Sequence, residues 1–374
     1  MNVPRALYVH LPWCVRKCPY CDFNSHPQKG RLPFERYVDR LLDDLDVDCR
    51  RVDARPIASI FIGGGTPSLF PGRAIARLLD GIRARVELAA DVEITLEANP
   101  GAVDESHFER YAAAGVNRLS IGAQSFDADA LMRLGRIHGP HEIERAVRVA
   151  QRAGFERINL DLMHGLPFQT VASALDDLAR AVALGVEHVS WYQLTIEPRT
   201  PFASDPPALP DEHVLEAIEA RGLERLAAAG FARYEISAYA RPGAAARHNV
   251  NYWTFGDYFG IGAGAHGKHT LESGSIERTT KPLAPERYLK TRASELAARA
   301  PIARDAIAGE FMLNALRLID GVDLGLFEAR TGLERAVIAP VWNRQIDLGL
   351  MREDRLELTE LGRRHLDSVV AAFL

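Results

Sequence analysis

Short apolar runs of five to seven residues alternate, from the N-terminus to about residue 200, with longer stretches whose apolar positions recur every three or four residues. The short runs predict strands at Leu7–Leu11, Ile57–Gly63, Val92–Ala98, Arg118–Gly122, Ile158–Met163 and His188–Leu194. The longer stretches predict helices over Pro33–Arg51, Gly72–Val86, Ser106–Ala114, His141–Ala153 and Val171–Leu184. Repeated strand–helix units imply an α/β protein with a parallel sheet and right-handed crossovers. Six units predict an open or partial barrel in place of a complete eightfold one.

Beyond residue 200 the pattern changes. Gly, Pro and aromatic residues become frequent up to about 285, with one helix near Glu212–Ala229. The last part is mostly helical, with helices at Ala306–Leu318, Leu326–Thr331 and Glu334–Leu348. A short hairpin at Leu350–Leu358 and a helix start at Thr359 follow. Helices followed by a small hairpin suggest a winged-helix-like module, so the expected division is a barrel with its extension over 1–285 and a small domain over 286–374. Winged helices often bind DNA, but this segment is rich in acidic residues and no basic run marks the chain.

The chain has 374 residues, 47% of them hydrophobic, enough for a sizeable core. The net charge of -5 comes from interspersed charges and gives no nucleic-acid footprint. No apolar stretch approaches the ~18 residues of a membrane span, and the N-terminus lacks the apolar core of a signal peptide. Of four cysteines, three are clustered, which fits a reducing compartment, and a soluble cytoplasmic protein is expected.

Those three, Cys14, Cys18 and Cys21, read Cys-x3-Cys-x2-Cys. Three thiolates at this spacing can hold three corners of a [4Fe-4S] cluster and leave the fourth iron open to a small molecule. A zinc site is the alternative, with His10 or His26 as fourth ligand. Gly63-Gly64-Gly65-Thr66-Pro67 follows an apolar strand. Its backbone can approach a ligand closely, but it lacks the Lys-Ser/Thr ending of a nucleotide triphosphate loop. Glu97, Gln124, Arg136 and Asp161 fall at or just beyond strand ends, where such sheets form their sites. Together they suit a zwitterionic, ribose-bearing ligand; taken singly, each could be a structural ion pair.

The cysteine spacing, with Tyr20 just before the last cysteine, and the Gly-Gly-Gly-Thr-Pro loop resemble the radical S-adenosylmethionine superfamily. The resemblance implies a partial (β/α)6 TIM-like barrel. It also implies that S-adenosylmethionine binds the open iron and can be cleaved to a deoxyadenosyl radical by one electron. Nearly the whole chain is similar to one branch, the oxygen-independent coproporphyrinogen III oxidases and their heme-chaperone relatives. The strings that carry this include Leu96-Glu-Ala-Asn-Pro, Arg118-Leu-Ser-Ile-Gly-Ala-Gln-Ser-Phe, Asn159-Leu-Asp-Leu-Met-His-Gly-Leu-Pro and Gly262-Ala-Gly-Ala-His-Gly. Matched by position, Tyr8, Gly64, Thr66 and Glu97 correspond to contacts of the cluster-bound S-adenosylmethionine. Gly65, Thr66, Gln124, Arg136 and Asp161 correspond to contacts of a second one in the oxidase.

Two departures separate the chain from the oxidases. Phe23 stands where they carry a fourth cysteine, and the first strand begins near residue 7, without their long leading segment. His248-Asn-Val-Asn-Tyr-Trp253 matches instead a His-Asn-x-x-Tyr-Trp motif of the heme chaperones. A neutral imidazole can ligate heme iron, and Tyr252 and Trp253 offer flat faces to a porphyrin. The competing reading makes His248 and Asn249 part of a hydrogen-bonded loop with the aromatics in the core; His266 and His269 are other candidate ligands. The resemblance therefore implies a heme chaperone that passes heme to apo-hemoproteins, those of the respiratory chain foremost, with a homodimer as one arrangement. The alternative is a radical enzyme acting on coproporphyrinogen III.

Overall fold

The computed structural model describes residues 3–102 and 105–374. All six predicted strands are present: β1 (Arg5–Leu11), β2 (Ile57–Gly64), β3 (Leu88–Ala98), β4 (Arg118–Gln124), β5 (Arg157–His164) and β6 (His188–Gln193). Helices α1 (Phe34–Cys49), α2 (Gly72–Arg83), α3 (Glu105–Ala114), a short α4 (Ala128–Arg133), α5 (Pro140–Arg152) and α6 (Val171–Ala183) connect them. After α7 (Glu212–Ala228) come β7 (Ala232–Glu235), β8 (Ala238–Ala240), α8 (Arg247–Trp253), β9 (Asp257–Ile261), β10 (His266–Thr270), β11 (Ile276–Thr280) and β12 (Ala298–Pro301).

These strands form one sheet in the order β12-β11-β10-β9-β1-β2-β3-β4-β5-β6-β8-β7. Pairing is parallel from β9 through β1 to β6 and antiparallel at both flanks. Among the described residues its two ends do not pair with each other, so the sheet as described is an open one, as six units suggest. β9 to β12 are not anticipated from the periodicity. Segments such as His266-Gly-Lys-His-Thr and Ile276-Glu-Arg-Thr-Thr carry too few apolar residues to read as strands.

Alternation along β1 to β6 divides two chemistries. One face carries Leu7, Val9, Leu11, Ile60, Ile62, Ile94, Leu96, Leu119, Ile121, Leu160 and Leu162, all in the main hydrophobic core. The other carries Tyr8, His10, Glu93, Thr95, Glu97, Arg118, Ser120, Asn159, Asp161, His188 and Ser190. It is polar and largely buried, with Tyr8, Glu97, Asp161 and Ser190 partly exposed, and its groups bond to one another: Ser120 Oγ to Asp161 at 2.9 Å, Asn159 Nδ2 to Asp161 at 2.8 Å, and the Ser190 N–H to Asn159 Oδ1 at 2.9 Å. These bonds lower the cost of burying polar groups, although Thr95 Oγ1 and Arg118 Nε and Nη2 are buried without a hydrogen-bond partner.

α8 plugs this polar face at the end away from the cysteines. The Arg247 backbone N–H donates to Glu93 at 2.9 Å, and Asn249 Nδ2 donates to the Tyr234 hydroxyl at 3.1 Å. The C-terminal helices α9 (Ile307–Ala315), α10 (Leu324–Thr331) and α11 (Ala339–Asp347) build a second core around Phe311, Phe327 and Trp342 that also takes in Phe255 and Ile276. The predicted hairpin is reduced to a bridge between Met351 and Leu358, and the Thr359 hydroxyl caps the next short helix.

The antiparallel flank is tied to α1 by ions. Lys281 Nζ bonds Asp44 and lies 2.8 Å from Asp48, with all three side chains shielded from solvent. Arg299 reaches Asp48 at 2.6 Å, and the Tyr288 hydroxyl donates to Asp44 at 2.7 Å. Removing the central cation leaves two carboxylates in the interior. Lys281→Met is expected to lower unfolding free energy by about 3–5 kcal/mol. Urea denaturation would show it, against less than about 1 kcal/mol for Arg364→Ala in the exposed Arg364–Glu360 pair.

Candidate cofactor site

The three cysteines lie on the segment that leaves β1. Cys14 sits on a two-residue strand, Trp13–Cys14, paired in parallel with His26–Pro27, so the cysteine segment closes on itself. The Thr66 N–H donates to the Trp13 carbonyl at 2.7 Å and the Gly65 N–H to Leu11 at 2.8 Å, which lays the glycine loop directly against it. The glycines are required sterically. A Cβ on Gly64, at φ +119°, would stand 2.7 Å from the His10 ring, and one on Gly65 would stand 2.6 Å from the Trp13 carbonyl oxygen. Side chains there would lift the loop off the cysteines.

All three cysteines line one cavity of about 430 Å³, together with Gly64, Gly65, Thr66, Glu97, Gln124, Arg136 and Asp161. The sequence-predicted residues thus come together, except Tyr8, His248, Tyr252 and Trp253. Tyr8 lies just outside the cavity, its hydroxyl 2.9 Å from His10 Nδ1. His10 Nε2 lies 2.9 Å from the Asn24 carbonyl; since a carbonyl can only accept, Nε2 carries the proton and Nδ1 accepts from Tyr8. Both nitrogens of His10 are therefore engaged. Among the described residues no three His, Cys, Asp or Glu side chains converge as the ligands of a single ion would. All three cysteines line the same cavity, where a cube with one corner per thiolate would use them together.

The cavity wall is polar and incompletely satisfied. Gln124 has φ +64°, a conformation costing about 1–3 kcal/mol for a non-glycine residue, and its Oε1 is buried without a partner. Arg136 donates to the Gly122 carbonyl at 2.9 Å and points Nη1 at Cys18 Sγ, 3.6 Å away, while its Nε is unpartnered. Glu97 accepts from the Gly64 N–H at 3.0 Å. Burial, reinforced by Asp161, pushes the Glu97 carboxyl up to about 8. Burial raises Asp161 too, against its bonds from Ser120 and Asn159, and raises the thiols of Cys14 and Cys21. A ligand bringing ammonium, carboxylate and hydroxyl groups would meet these unpaired atoms and draw both carboxylates back toward ionisation. The donor set fits a [4Fe-4S] cluster and the wall fits S-adenosylmethionine.

Tyr20, which belongs to the cysteine motif, also lines the cavity, as do Ser120 and Tyr192, to which the sequence assigns no role. Ser120 carries a readable signal, since it alternates with the apolar residues of its strand on the polar face. Phe23 lies at the rim, 61% exposed.

The His-Asn-x-x-Tyr-Trp motif lies elsewhere, on α8. His248 is 3% exposed, stacks on Phe61 at 4.9 Å between ring centroids, and places Nε2 2.9 Å from the Tyr252 hydroxyl. Its Nδ1 is buried and unpartnered, and burial holds the ring down to about 3, so it is neutral. Arg317 covers the Trp253 ring at 4.6 Å.

Comparison with known proteins agrees with this geometry. The sequence profile of the radical SAM superfamily matches residues 8–182, and that of the HemN C-terminal domain matches 302–365. The chain is 51% identical to the heme chaperone HemW of Escherichia coli (strain K12), over 99% of this chain and 98% of that protein. It is 46% identical to the heme chaperone HemW of Haemophilus influenzae at the same coverage. Among solved structures, the coproporphyrinogen III oxidase HemN of Escherichia coli superposes with a TM-score of 0.83 at 22% identity. The match covers 99% of this chain and 90% of that one, a likeness of fold. The chain belongs to the heme chaperone HemW family of the radical SAM superfamily.

Proposed function

We propose that the protein binds heme and delivers it to apo-hemoproteins, with Cys14, Cys18 and Cys21 holding a [4Fe-4S] cluster whose open iron takes S-adenosylmethionine. The observation that carries this reading is the near-full-length similarity to proteins named heme chaperones, joined to a cavity whose donors fit both groups. When bound, the cluster supplies an electron and S-adenosylmethionine supplies a radical precursor; the chain positions both. Gly64, Gly65 and Thr66 offer backbone to the ligand, and Glu97 and Asp161 meet its cationic and hydroxyl groups. Gln124 and Arg136 meet its remaining polar atoms, and Tyr8 holds His10 beneath the loop.

Phe23 supports a carrier over an oxidase. At the position of a fourth cysteine the chain presents an exposed aromatic ring on the cavity rim. Tyr252 and Trp253 are partly exposed, whereas contact between heme and His248 would require its buried ring to be uncovered. Respiratory apo-hemoproteins are the proposed recipients, and the cytoplasm the proposed site of action. Among the described residues no helix is long and apolar enough to cross a membrane, which fits a carrier that reaches membrane recipients from outside the bilayer. A homodimer is the proposed assembly.

Reconstituted anaerobically, the protein is expected to bind hemin stoichiometrically and to leave coproporphyrinogen III unconverted when supplied with reductant and S-adenosylmethionine. Absorption titration and product chromatography read the two outcomes; formation of protoporphyrinogen IX would select the oxidase.

Glu97 gives a second expectation. The free protein holds this carboxyl protonated up to about pH 8. A cation bound beside it favours the carboxylate, so binding expels a proton. S-adenosylmethionine affinity should rise between pH 6 and 8, at most about tenfold per pH unit, and level off above 8. Calorimetry in two buffers of different ionisation enthalpy would detect the released proton. Glu97→Gln should lessen the release, leaving what Asp161 contributes, and an unchanged pH dependence in that variant would remove Glu97 from the site.

A further inference from the structure

We propose that His188 and Tyr234 are positioning residues that join the cofactor cavity to α8, so that S-adenosylmethionine bound beside Asp161 holds α8, and with it His248, against the polar face of the sheet. This rests on the cofactor reading of the cavity and adds a link from that cavity to the helix.

The link is a chain of hydrogen bonds with one direction. Asn159 and Asp161 share the polar face of β5 because alternate residues of a strand point the same way, and His188 stands opposite Asn159 on β6. Asn159 Oδ1 accepts from the Ser190 N–H at 2.9 Å, so its amide nitrogen is the donor to Asp161 Oδ1 and to Ser120 Oγ, both at 2.8 Å. His188 Nδ1 lies 2.6 Å from the same Asn159 Oδ1 and therefore carries a proton. Burial, with Arg118 and Arg157 nearby, keeps the His188 ring neutral, which leaves the lone pair on Nε2. The Tyr234 hydroxyl, 3.0 Å from Nε2, donates to it. The same hydroxyl accepts from Asn249 Nδ2 at 3.1 Å and from the Ala246 N–H at 3.3 Å. From Asn249 on α8 to Asp161 in the cavity, every donor in the chain points toward the carboxyl.

The two ends of the chain belong to different places. Asp161 lines the cavity, whereas His188, Tyr234 and Asn249 do not. Hydrogen bonds in series polarise one another in a sheltered site, and an ionised acceptor binds its donors more strongly than a protonated one. Burial raises Asp161 in the free protein. A cationic ligand draws its proton off, and the carboxylate then strengthens the bonds through Asn159, His188 and Tyr234 in turn. Ala246 immediately precedes α8 and Asn249 follows His248, so the added hold falls on the turn of the helix that carries His248. A ligand reaching for His248 has to work against it.

Hydrogen–deuterium exchange of the full chain, its cluster reconstituted and left unreduced, with and without S-adenosylmethionine, tests this link. The α8 amides are expected to exchange at least about fivefold more slowly with the cofactor present. Tyr234→Phe removes only the shared hydroxyl. It should still bind S-adenosylmethionine by calorimetry, with α8 exchange unchanged on binding. Asn249→Ala cuts the last bond, farther from the cavity, and should give the same result; it decides the matter should Tyr234→Phe fold poorly or lose the cofactor. Arg247→Ala loosens α8 by removing its exposed pair with Asp91 and leaves the chain of bonds intact, so its faster exchange should still slow on binding. Slowing that persists in Tyr234→Phe or Asn249→Ala, slowing that is lost in Arg247→Ala as well, or bound cofactor with no slowing in the wild-type chain would overturn the link while leaving the cofactor reading intact. No binding of S-adenosylmethionine by the wild-type chain would overturn that reading, and the link with it.

Discussion

His10 is wedged between two glycine strands, and the rest of the site depends on that fit. β1 pairs in parallel with β2 on one side and β9 on the other, so the chain leaving its C-terminal end must pass between two loops. Gly64 on one side and Gly262 on the other both have positive φ, and a Cβ at either would strike His10, its ring at 2.7 Å or its carbonyl oxygen at 2.4 Å. Only glycine meets both demands, of conformation and of space. Once His10 is seated, Tyr8 and the Asn24 carbonyl hold its two nitrogens, and the cysteine segment begins in a fixed place against the glycine loop.

From that point the sheet does the remaining positioning. The polar face of β1 to β6 runs under the cavity, and its last row presents Glu97 and Asp161 to the ligand space. Burial makes both carboxyls reluctant to ionise, so a cationic ligand must draw off their protons as it binds. The antiparallel flank, clamped to α1 through Lys281, brings Leu283 and the Gly262–Ala265 loop against Asn24, so the C-terminal half of the chain also shapes the cysteine segment.

Much of this is legible in the amino-acid order. Period-two apolar runs mark the six parallel strands, and Gly63-Gly64-Gly65, Glu97, Gln124 and Asp161 fall at their ends, where the structure gathers them around one cavity. Less legible is whatever depends on distant chain meeting. β10 and β11 carry polar sequences that become strands because they add to an existing edge. Asn24 is an ordinary loop residue until Ala263 and Leu283 arrive beside it. The His248 motif shows the same limit: its residue types suit a heme ligand, yet their packing against Phe61 and Tyr252 is set by long-range contacts that no local pattern reports.

The central claim is that this scaffold carries heme to other proteins. Heme transfer tests it most directly: protein loaded with one equivalent of hemin, its cluster intact, is mixed with an apo-hemoprotein, and the Soret band of the recipient is followed. The account predicts that the band appears as that of the donor declines, and that variants lacking Cys14, Cys18 and Cys21 transfer more slowly. Heme that stays on the donor, or reaches the recipient no faster than it dissociates into solution, would contradict it.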